Sequence, residues 1–527
     1  MVSEPRVSVS TVPRPELRSV ARGGTLNLAG LVLAGALGFV LVIVITRALG
    51  PSGAGVVFGA IAVFTIAANV AELGADSGVV RFVSRARALG RTQEIGTIIA
   101  VALVPAAIAG AVMGLAVWLG ADRLAIWFVG DHRAEGAAFI RGLAPFLPVA
   151  TTATVALAAS RGFGTMVPFV AIDSVLTPVL KPVLVAPALA AGLGSAWIAA
   201  GWGLPEAVAC VAAMIALSRL HRRLGSTGVP TRSLAAIARS FWRFSAPRGV
   251  AAAFQVTVLW FDVLLLGLFR PTAEVGVYAA VSRVVMVGTF ALQAVRLAIA
   301  PQIAGLLARE DRDGAQTLYQ TATWWLIAVS WPLFLTLACF APLLLRVFGP
   351  AFTSGQGALA ILAVAMLVNL GTGNVTVVLL MGGKSSWNLV NTAVAIGLNV
   401  GLNLLLIPRF GMEGAAVAWA VSIVVDNLLA LAEVWWFLGM RPFGRGYAIV
   451  VAAALLCVGG IGLTVRLTLG ATVPGLAVFL ITAGAAYTAV LLRWRSALRM
   501  DAFLGALRGG TAPEIAEPSE ILEAVEV

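Results

Sequence analysis

Ten of the ionisable side chains inside long apolar stretches of this chain stand out. The bases are Arg141, Lys181, Arg248, Arg283 and Arg296, and the acids are Glu72, Asp173, Asp262, Asp426 and Glu433. An ionised group at mid-bilayer costs at least about 2.5–3.5 kcal/mol, so it belongs against a protein interior or a water-filled cavity. Arg141, Arg248, Arg296, Glu72 and Glu433 sit near the ends of their stretches and can snorkel toward water. Lys181, Arg283, Asp173, Asp262 and Asp426 lie deeper.

Helical spacing orders these groups into faces. Arg248, Gln255 and Asp262 are seven residues apart, and Asp173, Thr177 and Lys181 are four apart, so each set forms one stripe. Asn388, Asn391, Asn399 and Asn403 project to nearly one side, as do Asn69, Glu72 and Asp76. Asparagine alone calls for no more than hydrogen bonds between helices. The stripes at 173–181 and 248–262 carry full charges of both signs and point to a hydrated cavity.

The elements that must hold these groups follow from composition. Of 527 residues, 60% are hydrophobic and only 11% charged, and mean hydropathy is +0.98. A soluble globule needs roughly a quarter of its residues charged. The apolar residues come in continuous blocks of about twenty, the length of a helix crossing hydrocarbon, rather than the alternating ten-residue runs of a barrel. The expected fold is an all-α polytopic membrane protein of about fourteen transmembrane helices. The spans are 26–46, 54–75, 95–120, 137–160, 166–187, 195–218, 244–268, 276–300, 322–345, 356–381, 388–407, 412–437, 446–465 and 474–492. Pro145, Pro148, Pro178, Pro182 and Pro187 free backbone carbonyls and kink their helices.

The net charge of +12 is better explained by loops than by nucleic acid. Arg and Lys gather at 6–22, 81–91, 219–243, 309–312 and 493–508. Arg161, Lys384, Arg441 and Arg445 lie in loops of that same side, whereas the loops of the opposite side hold only Arg47, Arg123, Arg133, Arg270, Arg346, Arg409 and Arg466. The positive-inside rule then places both termini in the cytoplasm. Cys210, Cys339 and Cys457 lie in separate apolar segments and form no disulfide framework. With only His132 and His221, no metal site or cofactor is expected, and no nucleotide-binding loop appears. The one outer loop with chemistry, 121–136, carries Asp122, Asp131, His132 and Glu135 and reads as a solvated loop.

A repeat divides the chain. A shift of 221 residues lays Arg22 on Arg243 and Gly55-Val56-Val57-Phe58 on Gly276-Val277-Tyr278-Ala279. A shift of 217 lays Gly164 on Met381 and Gly194 on Gly411. Two parallel copies of a six-helix unit result, related by an axis along the membrane normal. The expected organisation is a disordered cytoplasmic N-terminus (1–25), a six-helix lobe (26–218) and a cytoplasmic inter-lobe loop (219–243). A second lobe (244–437), two further helices (438–494) and an acidic cytoplasmic tail (495–527) follow. Glu514, Glu517, Glu520, Glu523 and Glu526 make that tail a solvated one.

Three stretches carry a family resemblance. Ala48–Phe58 is similar to the turn between the first two helices of the polysaccharide flippases of the multidrug/oligosaccharidyl-lipid/polysaccharide superfamily. Glu72–Ser84 looks like the end of their second helix, and Asn403–Ala416 resembles the turn before their twelfth. The resemblance covers roughly residues 20–495. It implies a non-enzymatic transporter in the inner (plasma) membrane. Such a transporter moves a polyprenyl-diphosphate-linked oligosaccharide to the outer leaflet by alternating access, through a cationic lumen. Lys181 and Arg283 are the candidates for that cationic charge, with Arg248 at the entry. Asp262 or Asp426 is an ion-coupling candidate, or else an ion-pair partner of Arg283 or Lys181. Implied partners are the lipid-linked glycan, membrane lipids and glycan polymerase or glycosyltransferase machinery, with one chain acting as a monomer and no nucleic acid. Alternatives are a multidrug/cation exporter and a lipid II flippase. Lipid II flippases of the superfamily carry paired arginines around a Leu-Gly-Phe, which Leu37-Gly38-Phe39 lacks.

Overall fold

The computed structural model describes residues 14–224 and 232–498. Residues 1–13, part of the inter-lobe loop (225–231) and the acidic tail from 499 onward lie outside the described residues. All regular structure among the described residues is helical.

Two compact units divide between Ala280 and Val281. The first holds α1 (Arg14–Glu72), α2 (Ala75–Ala88), α3 (Ile95–Leu119), α4 (Ala121–Phe128) and α5 (Arg133–Leu143). It continues with α6 (Leu147–Gly162), the short α7 (Val167–Phe169), α8 (Thr177–Ala190), α9 (Ser195–Arg222), α10 (Leu234–Phe269) and the first turns of α11 (Thr272–Val287). The second takes the rest of α11, α12 (Phe290–Ala308), α13 (Arg312–Leu345), α14 (Gln356–Gly371) and α15 (Val375–Met381). It ends with α16 (Ser385–Leu438), α17 (Arg445–Ala453), α18 (Ile461–Leu469) and α19 (Val473–Arg493).

Among the described residues, ten helices are long and apolar enough to cross a bilayer, and α10, bent between Thr257 and Leu259, would make eleven. Two of the ten are double. α1 has 59 residues, which would run about 90 Å if straight, three times the hydrocarbon thickness. It breaks at Gly50, whose φ of 66° is open to glycine at little cost. α16 breaks likewise at Gly411. There the fold-back is visible: Asn391 Nδ2 donates to Glu433 Oε2 at 2.7 Å, although a straight helix would part residues 42 positions apart by about 60 Å. The chain is therefore an all-helical multi-pass membrane protein, and its count of spans is compatible with fourteen.

Each unit has its own apolar core. In the first, Val79, Val83, Ile95, Ile98, Val155 and Phe241 are buried together; in the second, Ile303, Tyr319, Val375, Val378 and Val434. Large apolar side chains also cover the outside, Ile481 at 71% exposure and Leu456 also at 71%. Helices apolar on every face suit a hydrocarbon solvent.

The C-terminal helices brace α13. Pro342 has no N–H to give the carbonyl of Ala338, one turn earlier, and the backbone kinks at Phe340. Arg466 of α18 supplies the missing donor, its Nη1 reaching Cys339 O at 3.0 Å and Ala338 O at 3.3 Å. At the other end, Gln316 and Gln320 donate to Arg441 O and Phe443 O, and Trp325 Nε1 donates to Leu498 O at 3.0 Å.

A charged cluster in the first unit and a candidate transport site

The deep base Lys181 has partners. Its Nζ lies 2.8 Å from Glu206 Oε1 of α9, and each side chain is 18% exposed. The same ammonium sits 3.9 Å from the centre of the Trp202 ring, one turn before Glu206. Trp202 is held edge-on by Phe64 of α1 at 5.1 Å. Lys181 therefore pairs neither with Asp262 nor with Asp426; Glu206, which the reading of embedded charges passed over, takes that place. Pro178, Pro182 and Pro187 lie on the same segment as Lys181.

A π-helical turn, Val170–Leu176, precedes α8 and alters the expected stripe. Pro178 cannot donate back to the turn, while Thr177 Oγ1 bonds the Ile172 carbonyl five residues earlier at 3.0 Å. The extra residue rotates the face: Thr177 is buried and Asp173 exposed. Such bulges recur at functional positions.

Around this pair stand further charges. Asp173 lies within electrostatic reach of Glu206, Lys181 and Arg161, and Glu72 within reach of Asp76, Arg161 and Asp173. Arg161, counted from sequence as a loop base, packs over the Phe169 ring at 4.7 Å, and its buried Nε has no hydrogen-bond partner. The buried Oδ1 of Asn69, one turn before Glu72, is also unpartnered. The first unit thus gathers Glu72, Asp76, Asp173 and Glu206 with Arg161 and Lys181.

The other candidates are placed differently. Arg248 is exposed and stacks on Phe244 at 5.4 Å, a ring that Arg81 of α2 also covers at 4.1 Å. Gln255 is exposed too, whereas Asp262, third in the stripe, is buried and accepts the Tyr278 hydroxyl at 3.1 Å. Arg283 and Asp426 fall in the second unit. Arg283 Nη1 donates to Met286 Sδ at 3.3 Å, and Asp426 is half-buried one residue before Asn427.

The asparagine stripe of α16 does what its spacing suggests. Asn391, Asn399 and Asn403 are buried, with Asn391 bonded to Glu433 and Asn403 Nδ2 to Asn399 Oδ1 at 3.0 Å. An uncharged network lies nearby in sequence, where α14 and α15 are interrupted at Thr372-Gly373-Asn374. Tyr319 donates its hydroxyl to Thr372 O at 2.7 Å, Thr372 donates to Asn427 Oδ1 at 2.8 Å, and Asn427 Nδ2 donates to Asn369 Oδ1 at 3.1 Å.

Two long helices broken at positive-φ glycines and a cluster of paired charges amid spans are features of a membrane transporter. A family model described as "polysaccharide biosynthesis protein" matches residues 20–307, more than half of the chain. The chain belongs to that family, within the superfamily of multidrug and polysaccharide transporters. A second model, MatE, matches residues 247–405. Family membership makes the chain a transporter-type membrane protein and not an enzyme.

Two proteins of Haloferax volcanii are similar to this chain. "Probable low-salt glycan biosynthesis flippase Agl15" is 28% identical over 36% of this chain and 41% of its own length, and "Probable flippase AglR" is 26% identical over 38% and 42%. The chain thus aligns with about two fifths of the curated relatives it matches. In fold, it is similar to the lipid II flippase MurJ in an inward closed conformation, with a TM-score of 0.72 over 89% of this chain and 99% of that one at 10% identity. An inward-facing multidrug resistance MATE transporter gives 0.60 over 79% and 98% at 15% identity. At such identities these likenesses show the fold alone.

Proposed function

We propose that this protein is a flippase for a polyprenyl-diphosphate-linked oligosaccharide, moving it from the cytoplasmic to the outer leaflet by alternating access. Both termini face the cytoplasm of an inner (plasma) membrane cell envelope, and the substrate is shared with glycosyltransferase or polymerase machinery. The observation that carries the reading is Lys181: a cation deep in a span, held by Glu206 and Trp202 in a partly open charged cluster. A diphosphate entering there offers the lysine a second anionic partner, so the cation is not left unpaired in a low dielectric. Arg248, exposed beside Phe244 and Arg81, receives the headgroup at the cytoplasmic entry. Arg283 supplies the second fixed cation, and Asp262 and Asp426 are the coupling carboxylates.

One observation favours the second reading, a cation-coupled multidrug exporter. With Glu206 included, the first unit's cluster holds four carboxylates against two bases, an excess that suits a cation.

Flipping of a fluorescent polyprenyl-diphosphate glycan in proteoliposomes tests both. Wild type should flip it, and Lys181→Ala and Arg283→Ala should each abolish the activity. Efflux of a cationic dye without any glycan flipping would overturn the flippase in favour of the exporter.

A further inference from the structure

The arginines of segment 81–91 fall into two kinds. Arg81 covers the Phe244 ring of α10 at 4.1 Å, and Arg87 covers the ring of Phe163, just past α6, at 6.0 Å. Both are thereby committed to packing. Arg85 and Arg91 are exposed, and their guanidiniums have no partner among the described residues.

These two line a cleft. Phe82, Arg85 and Ala86 of α2 share a helical face with Leu89, just beyond its end, at spacings of three, four and seven. The Phe82 ring is braced by Phe241 of α10 at 5.4 Å. The chain then reverses at Gly90, where φ is 68°, and the N–H groups of Gly90 and Arg91 return to Arg87 O at 3.1 Å and Ala86 O at 2.8 Å. This helix end folds Arg91 back to the cleft. Glu94, fully buried, and Arg232, which leads into α10, complete the lining.

Glu94 and Arg232 form a preset mount. Arg232 Nε lies 3.1 Å from Glu94 Oε2, and its Nη2 lies 2.6 Å from the same oxygen. That grip fixes one edge of the planar guanidinium. The Nη1 edge bonds nothing among the described residues and keeps its donors for an acceptor from outside. The cleft thus sets three guanidiniums against one carboxylate, an excess of two positive charges. Apolar side chains flank it: Leu89 is 53% exposed, and Leu234, two residues after Arg232, is 62% exposed. Arginine beside bare leucine at helix ends suits the boundary of a bilayer, where phosphate meets the cation and hydrocarbon meets the leucine.

We propose that this cleft binds the phosphate of an anionic phospholipid headgroup. Arg85, Arg91 and the free edge of Arg232 hold the phosphate, and Leu89 and Leu234 lie against its glycerol and acyl carbons. The lipid ties the end of α2 to the start of α10, both in the first compact unit. The site shares no residue with the Lys181 cluster and is independent of what the protein transports.

The test titrates the full chain in neutral detergent with dioleoyl phosphatidylglycerol and counts bound lipid by native mass spectrometry. Dioleoyl phosphatidylcholine is the zwitterionic comparison. One phosphatidylglycerol should bind ahead of the rest and raise the unfolding midpoint, as a ligand of the folded state must. Arg85→Gln and Arg91→Gln should each weaken that lipid about fivefold, and the pair about thirtyfold. Both side chains are exposed, so midpoints without lipid should match the wild type. Arg87→Gln removes the same charge from the same segment outside the cleft and should weaken the lipid less than about twofold. Equal losses in Arg85→Gln and Arg87→Gln would mean diffuse attraction to a basic surface and overturn the cleft. Phosphatidylcholine bound as tightly would overturn recognition of the anionic headgroup. Displacement of the lipid by millimolar inorganic phosphate would make a free anion the ligand and overturn the lipid.

Discussion

The polar interiors of the two units are made of different materials. In the first, charges of both signs converge around Lys181 and Glu206, next to a π turn and three prolines. In the second, the helix interruption at Thr372–Asn374 is held by Tyr319, Asn369 and Asn427, which are neutral at every pH a cell meets. The two units are thus filled for different work. Paired charges can change partner when an ion or a phosphate arrives, because each keeps a strong alternative. An amide network has no such alternative and fixes one backbone geometry.

That contrast can be broken or sharpened by substitution. The largest effect belongs to Glu206→Leu, which strands the Lys181 ammonium. It should cost about 3 kcal/mol, the lower end for unpairing a buried ion because the pair is partly exposed. Thermal unfolding in detergent measures it, and adding Lys181→Met should recover most of the loss. Next, Asn427→Ala removes the side-chain acceptor of Thr372 and the donor to Asn369 Oδ1 and should cost about 2 kcal/mol. No second substitution of a charged residue should rescue it, and flipping by the surviving folded fraction should be unchanged. Tyr319→Phe removes a single donor to a buried carbonyl and should cost about 1 kcal/mol in the same assay. At the small end, Asp122→Asn breaks a well-exposed pair with Arg141 and should change stability by less than about 0.5 kcal/mol. A large loss there would mean that surface charge, not the interior, distinguishes the first unit.

Acid offers a different probe of the first unit. The Thr272 hydroxyl and N–H hold the Asp131 carboxyl below its ordinary range, so the folded turn favours the ionised form. The stability these bonds contribute is fully present above the ordinary aspartate value of about 4 and is lost as pH falls below it. Thermal stability in detergent should fall in that direction, and Asp131→Asn should flatten the dependence. His132, Glu135, Arg133, Arg270 and Glu274 surround the loop and shift the midpoint without reversing the sign.

Much of this was legible in the sequence, and the misses share a cause. Continuous apolar blocks gave the helices, and the asparagine spacing gave the buried face of α16. Stripes on single helices could not reveal partners on neighbouring ones. Yet a simple rule would have found them, because residues equally far from a hairpin turn reach the same depth. Lys181 and Glu206 are equidistant from the turn between Leu193 and Gly194. Asp262 and Tyr278 are equidistant from Arg270, and Asn391 and Glu433 from Met412. The π turn was beyond such counting, since it changes the residues per turn that every stripe assumes. The close approach of Gly55 to Thr272 and of Gly276 to Pro51 was beyond it as well, since no periodicity says which turns touch.

Arg466 and the kink it caps have a consequence for the order of synthesis. The ribosome completes the kink at Phe340 and the carbonyls of Ala338 and Cys339 long before it reaches the arginine that donates to both, 127 residues after Cys339. At ordinary elongation rates that interval lasts roughly 6–25 s. During it the nascent α13 enters lipid with main-chain acceptors that nothing in its own helix can serve. The last two spans therefore act as a late fastener, and a chain released before they emerge leaves the membrane quality-control machinery a specific defect to find.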